Sequence, residues 1–419
     1  MEFARVQNFK DQMSDFFAKT REYPRQFWLL FWGMLLSTIG ASMIWPFLMV
    51  YASERLNLPL TQTASLVTIN STASLIMTFA AGQITDRVGR KMVMVVSLIS
   101  NAVVYLFLSH AATYTQFAVL MVLLGASNPL YRVGADAMLA DLIAPEKRAD
   151  GYSVLRMSNN AGVAIGPSVG GFIAAASQYL AFYIASAGLF IFGLLILFFA
   201  VETLPVEGLE KTTQRKERWG GYDRVLMDWP FTTTIANMIF GLITASLMWV
   251  LLPVYATKVV GIPKQLYGFI PTTNALMVVF LQVLVTQWTK KHPPLRVIAL
   301  GMFFYAIGVG TVVLGTGFWG LWTSMVIISI GELIIVPTSS TFVANLAPAD
   351  MRGRYMSIYG LTWSLSIGIG PLLGGFLSDN FGPPATWIGG LAIGLISTLT
   401  FFVIERTFYK EGLTPEAAI

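Results

Sequence analysis

The ionisable side chains inside long apolar runs are the residues of this chain with the most chemistry to offer. Glu332 stands in Gly331-Glu332-Leu-Ile-Ile-Val-Pro337, with no basic residue within one helical turn. An ionised group deep in a bilayer costs about 2.5–3.5 kcal/mol on insertion scales, so a carboxyl held there without a fixed cation can take up and release a proton near neutral pH. Two plainer readings stand beside that one: a neutral, hydrogen-bonded Glu332 that fixes packing, and a Glu332 that meets cations across a cavity. Arg132 and Asp136 are four residues apart and share a helical face. They read either as an ion pair that neutralises both charges, or as Asp136 accepting a proton and freeing Arg132 for a substrate or for Glu332. Asp141 and Arg156 flank the next polar link. Proton binding is therefore expected first at Glu332, with Asp136 and Asp141 as further candidates.

Other chemistries are poorly supplied. The 419 residues contain no cysteine, which excludes disulfides, iron–sulfur clusters and thiolate metal sites, and the two histidines, His110 and His292, lie far apart. No nucleophile–base set and no Gly-Lys-Ser/Thr phosphate loop occurs. An enzyme is not expected, nor a metal or cofactor; the proton is the expected coupling ion. The net charge of +5 comes from basic residues in short loops beside apolar runs, so nucleic acid is not an expected partner.

The elements that position these residues are membrane spans. The chain is 55% hydrophobic and 12% charged, with mean hydropathy +0.66, against about 25% charged residues in soluble domains. A spanning helix needs about 20 mostly apolar residues, and such runs predict twelve helices over 27–51, 61–82, 92–110, 115–143, 152–175, 179–201, 229–257, 265–288, 296–315, 319–346, 353–377 and 384–404. The charged stretch 202–228 separates a six-helix bundle over 27–201 from a second over 229–405. Residues 1–26 place Phe3, Val6, Phe9, Met13, Phe16 and Phe17 at helical spacing opposite Arg5, Lys10, Lys19 and Arg21, as in a helix lying on a membrane surface or in a frayed leader. Residues 406–419 form a tail. One set of loops holds Arg87, Arg90, Lys91, Lys147, Arg148, Lys290, Lys291, Arg296, Arg352 and Arg354, and the other only Arg55, Lys258 and Lys264. Positive residues mark the cytoplasmic side, so both termini and the linker are expected there, in a plasma or inner membrane.

An internal repeat relates the two bundles. Ala140-Asp-Leu-Ile-Ala-Pro-Glu-Lys-Arg148 and Gly166-Pro-Ser-Val-Gly-Gly-Phe172 align without a gap onto Ala344-Asn-Leu-Ala-Pro-Ala-Asp-Met-Arg352 and Gly370-Pro-Leu-Leu-Gly-Gly-Phe376. Parallel halves related by an axis along the membrane normal place a substrate path between them, near the midplane.

The link Gly82-Gln-Ile-Thr-Asp-Arg-Val-Gly-Arg-Lys91 packs Asp86, Arg87, Arg90 and Lys91 between the second and third runs. Gly82 and Gly89 are expected to allow tight turns, and the charges to pin the link to the interface. The stretch resembles the signature of the major facilitator superfamily, and Gly331-Glu332 resembles its drug:proton antiporter branch. That resemblance implies an all-α membrane fold of two pseudo-symmetric six-helix bundles. It also implies that Asp86 faces the start of the eleventh helix near Gly353 and that Arg90 pairs with Asp141, a latch on the cytoplasmic side with Arg156 nearby. Gly162, Gly166, Pro167, Gly170 and Gly171 are similar to the family's antiporter motif. The family's usual arginine on the fourth helix would fall at Met121, so its role does not carry over to Arg132.

Helices one, two, four, five, seven, eight, ten and eleven line the cavity by resemblance. That places Trp45, Tyr51, Asn70, Arg132, Asn237, Trp249, Asn274, Tyr359 and Trp363 as candidate substrate contacts, an aromatic wall suited to amphipathic or cationic molecules. The expected function is export of such molecules in exchange for protons by a monomer among membrane lipids. Proton symport of a sugar, peptide or organic anion, lipid transport, and a non-transporting sensor are the alternatives.

Overall fold

The computed structural model describes residues 23–144, 147–204, 222–348 and 351–409. Residues 1–22, 205–221 and 410–419 lie outside that range, and with them the expected surface segment of 1–26, most of the linker 202–228 and most of the tail 406–419. Among the described residues there is no strand, and twelve helices are long enough to cross a bilayer. They are α1 Arg25–Leu56, α2 Leu60–Val88, α3 Arg90–His110, α4 Tyr114–Leu142, α5 Arg148–Ala176, α6 Gln178–Phe199, α7 Trp229–Val254, α8 Lys264–Thr289 with a turn at Gly268, α9 Pro294–Gly310, α10 Phe318–Leu346, α11 Arg352–Phe381 and α12 Pro383–Phe408. All but α5 are apolar enough to span on composition alone. Polar residues such as Arg156, Asn159 and Asn160 dilute α5, yet its 29 residues reach roughly 43 Å at 1.5 Å per residue.

Local sequence sets the helix ends. Thr113 and Gln116 form a reciprocal capping box that starts α4. Asp228 accepts from Phe231 N at 3.1 Å ahead of Pro230 in α7. α1 closes at Asn57 in the left-handed region and α11 at Gly382, each with proline close behind. The second link is tighter than expected: α2 runs unbroken through Gly82 to Val88, and Gly89 alone, at φ +100°, makes the turn into α3. Gly82 is thus a helical residue, because the donors and acceptors of 82–88 continue the helix ladder and only Gly89 adopts a backbone that side chains rarely tolerate.

The loops bearing Arg90, Arg148, Lys290, Lys291 and Arg352 all follow even-numbered helices, so they share one end of the bundle, the basic face. One buried apolar core is built from α1 to α6 residues such as Phe27, Leu98, Phe117 and Phe192. The other is built largely from α7 to α12 but takes in Phe47, Met49, Val50, Ala64, Val67 and Ala174, all from the ends of α1, α2 and α5 far from the basic face. The two halves therefore share apolar packing at one end only.

Candidate functional site

Glu332 lies half-buried on α10. Its Oε2 accepts from Asn274 Nδ2 of α8 at 2.9 Å, and the same amide donates to Ser329 Oγ at 2.9 Å. Trp322 Nε1 donates to Thr273 Oγ1 at 2.9 Å and Gln282 Nε2 to the Leu333 carbonyl at 3.1 Å, so α8 and α10 are stitched on both sides of the carboxyl. Among the described residues no cation pairs with Glu332.

Arg132 and Asp136 are both exposed on α4, and no ion pair closes between them. The Arg132 guanidinium nonetheless lies close enough, one helical turn away, to act electrostatically on the Asp136 carboxylate. Asp141 does not pair with Arg156. Its Oδ2 accepts from Arg90 Nε at 3.2 Å and from Thr203 Oγ1 at 3.0 Å, which leaves Arg156 exposed on α5.

At the basic face Arg90 also reaches Asp86 at 3.3 Å, and Asp86 itself is 72% exposed. Nothing lies within 4 Å of where a side chain on Gly353 would begin. The expected seat of Asp86 on the start of α11 is thus vacated, while the Asp86–Arg90–Asp141 group stays assembled within one half. Arg87 is exposed. The sequence reading missed Glu202, whose carboxylate accepts from Arg90 N at 2.9 Å and Lys91 N at 3.1 Å and caps α3. A side chain at Gly89 would collide with that carboxylate. The signal was present, since Glu202 directly ends an apolar run, but the residue was counted among the linker charges.

The halves meet at the other end. Asp379, near the end of α11, accepts from Leu60 N at 3.0 Å, Thr61 N at 2.8 Å and Thr61 Oγ1 at 2.6 Å, capping α2 from across the interface. Thr68 Oγ1 donates to the Gly368 carbonyl at 2.6 Å. Ser168 of α5 and Thr272 of α8 share a 2.7 Å bond, and Lys264 Nζ pairs with Glu54 at 3.0 Å. Gly171 lies against the Lys264 carbonyl and Gly268 against that of Pro167, so α5 and α8 approach backbone to backbone. Gly162, Gly166 and Gly170 pack instead on α1, at Thr38, Ile39–Ser42 and Met43. Farther along the face of α2 that meets α11, Thr72, Ile76, Phe79 and Gln83 are exposed, as are Gly353, Ser357 and Gly360 on α11. The halves diverge there, and the space between them opens toward the basic face.

The candidate substrate contacts divide. Trp45 and Trp249 line one small void between α1 and α7, Trp363 is 39% exposed on α11, and Tyr359 Oη shares a 2.8 Å bond with Ser339. Asn274 belongs to the Glu332 cluster. Tyr51, Asn70 and Asn237 are buried, and each donates to a carbonyl of a neighbouring helix, Ser109 at 2.6 Å, Met121 at 3.0 Å and Ser397 at 3.0 Å.

The sequence matches the family model described as Major Facilitator Superfamily over residues 30–263 and 233–418. The chain is 25% identical to a Na(+), Li(+), K(+)/H(+) antiporter of Planococcus maritimus, covering 84% of this chain and 90% of that one. It is 27% identical to the multidrug resistance protein MdtH of Escherichia coli, covering 79% and 81%. A crystal structure of a bacterial homologue of the human lysosomal transporter Spinster superposes with TM-score 0.77 at 15% identity, over 93% of this chain and 98% of that one.

Proposed function

Because the chain belongs to the major facilitator superfamily, we propose that this multi-pass membrane transporter exports amphipathic small molecules in exchange for protons by alternating access. The basic face is the cytoplasmic one, with both termini on it. Glu332 carries the reading: it is a carboxyl inside the C-terminal bundle, with an amide on one oxygen and no cation among the described residues. The proton is the coupling ion, and the transporter acts as a monomer surrounded by lipid, without metal or cofactor. Outward-facing protein loads a proton on Glu332; after the switch, substrate entering from the cytoplasm displaces it. Inward opening parts Asp86 from α11 and leaves Asp86–Arg90–Asp141 joined within one half. The antiport exchange documented in the name of the Planococcus relative and the drug-resistance role in that of MdtH support the two halves of this proposal.

The test is proton movement in proteoliposomes with an internal pH dye, challenged in turn with lipophilic cations, anionic amphiphiles, neutral drugs and sugars. Substrate-triggered proton flux opposite to substrate movement, abolished in Glu332→Gln, is the expected result. Undiminished coupled flux in that variant removes Glu332 from the mechanism, and flux in the same direction makes the protein a symporter. A second reading follows from the likeness to the Na(+), Li(+), K(+)/H(+) antiporter: proton flux driven by Na⁺ or K⁺ alone makes the cation the cargo.

A further inference from the structure

The two halves repeat each other's hydrogen bonds as well as their sequence. At the offset that aligns Gly166 with Gly370, Thr68 and Ala164 of the first half correspond to Thr272 and Gly368 of the second. Thr68 Oγ1 donates to the Gly368 carbonyl at 2.6 Å, and Thr272 Oγ1 to the Ala164 carbonyl at 3.0 Å, so α2 matches α8 and α5 matches α11 in register. The same offset holds for α3 and α9. Ser97 Oγ of α3 donates to the Ser127 carbonyl of α4 at 2.6 Å. Their counterparts, Gly301 and Gly331, bring α9 and α10 together backbone to backbone, each glycine lying against the other's carbonyl.

One turn farther along α3, Asn101 Nδ2 donates to Asn128 Oδ1 of α4 at 2.9 Å. The counterparts of that pair are Tyr305 on α9 and Glu332 on α10. Tyr305 is 3% exposed, and its ring lies on Gly331, the residue beside Glu332. It stands close enough to interact electrostatically with the Glu332 carboxyl and with Tyr359. Of the helices packed on α10, α8 presents the Asn274 amide to Glu332 Oε2, α11 presents Tyr359, already bonded to Ser339, and α9 presents Tyr305. The hydrogen bonds of this cluster leave out both the Tyr305 hydroxyl and Glu332 Oε1. A buried hydroxyl without a partner is costly, and a carboxyl oxygen meets that need.

We propose that Tyr305 is a positioning residue for proton binding: when Glu332 is protonated, its Oε1–H donates to Tyr305 Oη, so the pair of positions joined as Asn101 and Asn128 in the first half is joined in the second as well. The bond keeps the loaded proton against α9, inside the C-terminal bundle, and substrate has to break it to displace the proton. The inference rests on Glu332 being the proton carrier.

The test is difference infrared spectroscopy of the purified protein in nanodiscs as the pH is cycled. The C=O band of protonated Glu332 is identified by its loss in Glu332→Gln. Tyr305→Phe keeps the ring on Gly331 and removes only the hydroxyl. In that variant the band is expected to move to higher frequency, as a carboxyl does on losing a hydrogen bond, and coupled proton flux in proteoliposomes to fall about tenfold, the worth of one such bond. Tyr359→Phe is expected to leave the band in place. A band that does not move in Tyr305→Phe overturns the role of Tyr305 and leaves Glu332 as the carrier; a spectrum with no Glu332 band overturns both. Should Tyr305→Phe fail to fold, the same titration is run on wild type and Tyr359→Phe protein carrying ring-deuterated tyrosine. A tyrosine band that changes with Glu332 protonation in both is the expected result, and its absence overturns the contact.

Discussion

The two ends of the bundle use the same device to opposite effect. At the basic face Glu202 caps α3 from the end of α6, inside one half. At the far face Asp379 caps α2 from α11, across the two halves. Each is a carboxylate accepting the unpaired N–H groups of a helix start, where the helix dipole favours negative charge. The first can persist through a whole cycle because nothing it joins has to part. The second has to break whenever the far face opens. The chemistry of a contact thus does not say whether it is scaffold or gate; the pair of elements it joins does.

That contrast can be broken in order of expected effect. Since the chain contains no cysteine, Ser168→Cys with Thr272→Cys places two thiols where hydroxyls now lie 2.7 Å apart. Oxidation should arrest transport completely and reductant restore it; continued transport with the bond formed would mean the far face need not open. Asp379→Ala removes the cap across the halves, worth about 0.5–2 kcal/mol. Thiol labelling of a single Thr272→Cys should then rise by about tenfold, and an unchanged rate would deny Asp379 any gating role. Glu202→Ala loses a cap of similar worth, but within one half: the unfolding midpoint should drop by a few degrees while labelling at Thr272→Cys stays put. Smallest is Lys264→Met, which breaks a partly exposed ion pair worth less than about 1 kcal/mol; a slight, salt-sensitive rise in labelling is expected, and a rise exceeding that of Asp379→Ala would reverse the ranking.

Much of the fold was legible because membrane spans announce themselves by length and apolarity, and because arginine and lysine cluster on one face. Glu332 was legible for the same reason, as a charge where charge is costly. Its partner Asn274 was named only as a cavity residue, since nothing in a linear pattern says that α8 lays an amide beside α10. That Tyr51, Asn70 and Asn237 donate to carbonyls of neighbouring helices was not legible, because a polar side chain in an apolar run looks the same whether it faces a path or a neighbouring helix's carbonyl. Gly82 and Gly89 look alike in the link, yet only Gly89 takes a positive φ.

By itself the sequence determined that this chain is a multi-span helical membrane protein, that its halves repeat, that an ionisable carboxyl, Glu332, stands in an apolar run of the second half and that the chain carries no thiol. These follow from composition, periodicity and the cost of burying charge, which each segment meets locally. Only the tertiary structure decided at which end the halves meet, that Asp379 rather than Asp86 joins them, and that Asn274 of α8 lies against Glu332 of α10. Those facts depend on depth and rotation between helices far apart in sequence. Packing of close backbones and of shared hydrogen bonds sets that register, and apolar side chains facing lipid do not encode it.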